Sequence, residues 1–152
     1  TTAGFVFPLA WLKRQGIDNY RDFFREYYFA GSHDATIDAV LKKEADIGAA
    51  KNTVYDFYLN RNQAAARQLV IIASSPPVPS NGLCVLPAMR ADLKSRLQAA
   101  LLDLHTTPAG RQVLQKLRAV KFVTTGREDY RPVMEMAGDA GIDINTYFYE
   151  NR

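Results

Sequence analysis

Gly31-Ser32-His33-Asp34 is where residue types and spacing first combine into chemistry. The aromatic run Tyr27-Tyr28-Phe29 ends at Ala30-Gly31, and the Ser-His-Asp trio then opens an amphipathic segment. A junction of this kind sets unpaired backbone N–H groups, a hydroxyl and an imidazole in front of a helix start. All are donors, and together they form a seat for an anion. A protonated histidine is disfavoured at the positive end of a helix, so a neutral, donating imidazole suits His33. A histidine that merely stabilises the helix start fits the same pattern, and Ser32 is a good cap with or without a ligand.

Two further helix starts carry hydroxyl or amide side chains, Thr1-Thr2 and Asn52-Thr53. In a parallel α/β layer, helix starts that follow strand ends gather at one edge of the sheet, where ligands bind. Donors converging there suit an oxyanion with several acceptor oxygens, although each residue taken alone is also an ordinary cap. Ser32, His33 and Asp34 are adjacent in sequence, which denies them the linear geometry of a hydrolase triad. The chain has no G-x-S-x-G elbow, H-E-x-x-H helix or Walker loop, and His105 has no partner at metal-ligand spacing. The expectation is therefore a binding protein rather than an enzyme, with no metal and no cofactor.

Composition bounds the partners. Of 152 residues, 47% are hydrophobic and 23% charged, as in a globular protein. The net charge of +3 is mild and scattered, which disfavours nucleic acid while suiting an anionic ligand. Cys84 is the only cysteine, which excludes an intrachain disulfide, and its apolar run Leu83-Cys84-Val85-Leu86 predicts a buried, inert thiol. Leu69 to Ala73 is of strand length, far short of a membrane span. The opening Thr1-Thr2-Ala3-Gly4 has no initiator Met and no signal peptide, and is expected to be a cut or processed beginning.

The elements that must hold these residues alternate. Apolar spacing predicts a helix from Phe5 to Gln15, stopped at Gly16 and bent near Pro8, which should free the carbonyl of Gly4. Strands are expected at Phe23–Phe29, Asp46–Ala50, Gln68–Ser74, Leu83–Leu86 and Phe122–Val123, the third of them buried, with the aromatics of the first packed in a core. Helices are expected at Asp34–Lys43, from an Asn52 or Thr53 cap through Leu59, along the Leu93-Leu97-Ala100-Leu101-Leu104 stripe, after a Thr107 cap, and at Tyr130–Ala140. The breaker-rich Ser74-Ser75-Pro76-Pro77-Val78-Pro79-Ser80-Asn81-Gly82 reads as an interdomain crossing. The alternation predicts an α/β fold with at least partly parallel sheet. The tail from Ile142 to Arg152, with Tyr147-Phe148-Tyr149, is aromatic enough to pack.

Thr1-Thr2-Ala3-Gly4, Phe29-Ala30-Gly31-Ser32-His33-Asp34, Ala45-Asp46-Ile47-Gly48-Ala49 and Ser75-Pro76-Pro77-Val78-Pro79-Ser80-Asn81 occur in an order and spacing that resemble the periplasmic phosphate/phosphonate-binding proteins of ABC transporters. The later TPAGRQVLQKL and DYRPVMEMAGDAGID segments are similar to the same family's C-terminal helices, so the resemblance runs from Thr1 to about Asp143. It implies a type 2 periplasmic-binding fold of two α/β lobes with mixed sheets, incomplete here, closing on a ligand between them. Residues 1–78 would form most of the second lobe, and 79–152 would return to the first, whose N-terminal portion lies outside this chain.

By this resemblance the ligand is a small phosphorus oxyanion, the location is periplasmic, and the partner is an ABC permease. A sensing domain of a membrane-bound receptor or histidine kinase is the alternative on the same fold. Thr1 and Thr2 match two hydroxyls of the family's Ser-Thr-Ser-Gly motif, Ala3 replaces the third, and Ser32 and His33 match its Gly-Ser-His motif. Asn81 stands where many members have an aspartate. Val54 stands where some have a glutamate facing an amino group on the ligand. The two lost carboxylates imply phosphate, phosphite or a simple alkylphosphonate rather than an aminoalkylphosphonate.

Overall fold

The computed structural model describes residues 1–147, so only the last part of the expected tail, Phe148 to Arg152, lies outside the described residues. The chain divides into two compact units, Thr1–Val78 with Tyr130–Arg152, and Pro79–Asp129. In chain order the α-helices are α1 (Phe7–Arg14), α2 (Tyr20–Phe23), α3 (His33–Leu41), α4 (Asn52–Arg61), α5 (Ala91–Leu102), α6 (Pro108–Lys116) and α7 (Arg131–Asp139).

The first unit is built on two helix pairs. Small side chains let α1 and α7 approach closely, and Ala10, Met136 and Ala140 form a buried cluster there. Val6, Phe7, Leu9, Val78, Val133 and Ile142 pack around it. At the rim, Arg14 bonds Asp139 through Nε at 3.1 Å and through a second guanidinium nitrogen. Pro8 does not break the chain's first helix. Thr2–Val6 forms a wider π-helical turn, with the Thr1 carbonyl accepting from Phe5 at 2.9 Å and Val6 at 3.2 Å. That widening accommodates Pro8 in the first turn of α1, where a missing N–H costs little.

The second pair is α3 with α4. Ile37 and Ala39 give α3 its buried face, and the Tyr58 hydroxyl on α4 donates to the Asp38 carboxylate. The cap of α4 is Lys51, with no side-chain bond to the helix, and not Asn52 or Thr53, which lie inside the first turn. Within the second unit, the Thr107 hydroxyl caps α6 by accepting from Gly110 at 3.0 Å, as its sequence predicts, and Leu114 is fully buried.

The strand expectations are corrected. Among the described residues no strand is paired: Phe23 ends α2, and Asp46–Ala50, Gln68–Ser74, Leu83–Leu86 and Phe122–Val123 run without a ladder. Val70 is 84% exposed, so the third segment is not a buried strand, and the aromatics of Phe23–Phe29 are largely exposed rather than packed in a core. Cys84 is exposed as well, because nothing covers its run. The α5 stripe forms on a helix, yet Leu93 and Leu97 remain open to solvent. Composition makes a segment suitable for a sheet, but a ladder needs a neighbour for every N–H and C=O, and the described residues supply none.

The Tyr58–Asp38 bond has a pH signature. Donation to Asp38 holds the Tyr58 phenol above its ordinary value of 10.0, with burial adding to the rise. A raised folded-state value means that the contribution is complete below about pH 10 and is lost as the phenol ionises at higher pH. Tyr58→Phe should cost about 1 kcal/mol near neutrality, discounted for partial exposure. Thermal melts of the two proteins should differ at pH 7 and converge above pH 10.

Candidate functional site

The four residues singled out in the first unit stand at two helix starts. Thr1 caps the π-helical turn, its hydroxyl accepting from Gly4 N at 3.0 Å. Thr2 is half-buried inside that turn. Ser32 caps α3, accepting from Ala35 N at 3.1 Å, while its carbonyl takes the Thr36 hydroxyl at 3.0 Å. The chain reaches Ser32 through Gly31 at φ +85°, a left-handed conformation that favours glycine. His33 is the first residue of α3 and half-buried, and exposed Asp34 in the first turn complements the helix dipole.

The two starts meet at Gly4. A methyl group on its Cα would lie 3.0 Å from Thr1 Oγ1, 3.7 Å from His33 Cε1 and 3.9 Å from the Ala49 carbonyl oxygen. Thr1, Gly4, His33 and the Ala49 carbonyl therefore converge on one point. Cε1 lies between the two ring nitrogens, so the edge of His33 that carries its hydrogen-bonding atoms is the edge near Gly4. Sequence reasoning missed Gly4 and Ala49 as members of this site. Gly48 is small for a different contact, since a Cβ there would lie 2.7 Å from Thr36 Cγ2 and 3.0 Å from Val40 Cγ2 on α3.

Capping leaves these hydroxyls useful to an anion. Thr1 and Ser32 each spend a lone pair on an N–H, and each keeps its O–H proton to donate. The N–H groups of Thr2 and Ala3 precede the first bonded turn of one helix, and those of His33 and Asp34 occupy the same place in the other. The arrangement offers hydroxyl and backbone N–H donors from two dipole ends and can hold an oxyanion. Among the described residues, no group of three or more His, Cys, Asp or Glu is placed to hold a metal ion. An open hollow of about 560 Å³ beside Lys43, Asp46 and Gln68 shares none of these residues and lies at the opposite end of α3.

Asn81 belongs to the second unit and is exposed. His105 lies in the short turn Leu104–Thr106, its Nδ1 2.8 Å from the Leu102 carbonyl oxygen, a local contact. No described helix is long and apolar enough to cross a membrane.

A family model described as "ABC transporter, phosphonate, periplasmic substrate-binding protein" matches residues 1–130. The matched stretch contains both helix starts and the Pro79-Ser80-Asn81 turn, and the chain belongs to this family of periplasmic substrate-binding proteins. Membership implies a periplasmic-binding fold, an extracytoplasmic location, a small phosphonate-type ligand bound for uptake, and an ABC permease as partner. Substrate-binding proteins of these transporters are generally not enzymes.

Ser32→Ala removes the α3 cap and should cost about 1 kcal/mol of stability. Ser32→Gly should cost only a few tenths, because glycine is tolerated at a cap. Chemical denaturation of the two variants measures the difference.

Proposed function

We propose that the protein captures a small phosphorus oxyanion (phosphate, phosphite or a simple alkylphosphonate) for ABC-type uptake and performs no reaction on it. The observation that carries this reading is the meeting of the Thr1 hydroxyl, the Gly4 backbone and the His33 ring from two separate helix starts. Thr1, Thr2, Ser32 and His33 hold the oxygens through hydroxyl, imidazole and backbone N–H donors. Asn81 is assigned to the same ligand on the resemblance of its Pro79-Ser80-Asn81 turn. Residues 1–78 supply most of one lobe, and the return to the other begins at Pro79.

The ligand's organic part is constrained by the two positions at which family members carry carboxylates and this chain does not. An ammonium group drawn out of water needs a carboxylate beside it. Val54, half-buried in the first turn of α4, offers an alkyl surface at the position where some family members place a glutamate. Asn81 is likewise neutral. Methyl- or unsubstituted phosphorus oxyanions lose nothing by this, whereas an aminoalkylphosphonate loses its counter-charge.

Calorimetry on the intact protein should show methylphosphonate or phosphate binding more tightly than 2-aminoethylphosphonate, with Val54→Glu narrowing or reversing the order. His33→Ala should weaken the best ligand by about tenfold or more, the loss of one hydrogen bond to a charged group. Unchanged affinity in His33→Ala would leave the imidazole a structural role only. Tightest binding of 2-aminoethylphosphonate by the natural sequence would overturn the ligand class.

A further inference from the structure

We propose that the ring contact between Phe5 and Phe29 is the positioning element that sets the spacing between the Thr1–Thr2 and Ser32–His33 halves of the seat. This rests on the oxyanion reading above. The two halves belong to different helix pairs, since α1 packs on α7 while α3 packs on α4. Among the described residues, no hydrogen bond or ion pair joins residues 1–6 to residues 28–36. What spans them is apolar. Phe5 directly follows Gly4, Phe29 stands four residues ahead of His33, and their ring centroids are 5.8 Å apart at an interplanar angle of 56°.

At this separation and tilt the two rings lie in the range where aromatic pairs attract one another. Phe29 has few torsions of its own, so its width acts as a fixed spacer. The ring is 68% exposed, so its removal leaves little void, while it takes away the contact that holds the Phe5 end against the approach to α3. His33 then loses its register with Thr1 across Gly4. Phe29 touches no ligand in this scheme and acts through the position of His33.

A double-mutant cycle tests it, with affinity for methylphosphonate and for inorganic phosphate read by calorimetry and folding followed by far-UV circular dichroism. Phe29→Ala should weaken binding of both anions by roughly tenfold with an unchanged spectrum, and Phe29→Tyr should retain the natural affinity. In the His33→Ala background, Phe29→Ala should cost less than about twofold, because the group it positions is gone. Should Phe29→Ala fail to fold, Phe29→Leu replaces it in the same cycle, with a smaller loss and the same dependence on His33. Natural affinity in the Phe29 variant, or losses that multiply in the double variant, overturn the positioning role alone. Natural affinity in His33→Ala leaves the imidazole a structural role only and this inference falls with it, whereas absence of binding of either anion by the natural protein overturns the oxyanion reading itself.

Discussion

Every helix begins with backbone N–H groups that have no partner inside the helix, and the first unit brings two such beginnings into contact at Gly4. A methyl group on Gly4 would crowd the Thr1 hydroxyl of its own turn and come into ordinary contact with the His33 ring. Around this point the unit has one helix pair on each side, α1 with α7 and α3 with α4. Buried Ala10, Met136 and Ala140 steady the first; Ile37, Ala39 and the Tyr58–Asp38 bond steady the second. Those layers matter to function because each holds the starting end of a helix still.

The chemistry at that point is one of donation. Thr1 and Ser32 close their own helices by accepting, and each retains a hydroxyl proton that it can donate. His33 adds a ring held at its polar edge, and the π-helical widening before Pro8 displaces the first turn without losing its open N–H groups. A site of hydrogen-bond donors suits a ligand that brings its own negative charge. The family is one of substrate-binding proteins, which generally bind and deliver rather than react.

The helices were legible because their signals are local. Thr107 caps α6 and Ser32 caps α3, and Gly16 and Gly141 take positive φ just after α1 and α7. The strands were legible only as preference. Leu69-Val70-Ile71-Ile72 has the composition of a buried strand, and Val70 is among the most exposed side chains described. Burial and pairing belong to the neighbours of a segment, so composition alone misplaced Cys84 and the aromatic run as well. Asn52 and Thr53 failed as caps for a smaller reason: Lys51 already had the extended backbone that begins a helix.

The sequence by itself determined the helix starts, the donors placed on them and the family they resemble, since caps, breakers and motif spacing act within a few residues. It marked Ser32 and His33 as candidates while leaving a plain cap as an equal reading. Only the tertiary structure decided that Thr1 and His33, far apart in the chain, face one another across Gly4 with the Ala49 carbonyl beside them. A contact of that kind depends on how two helix pairs pack, and no local pattern of residues encodes it. The junction at Gly31 to Asp34 thus acquires its partner from packing.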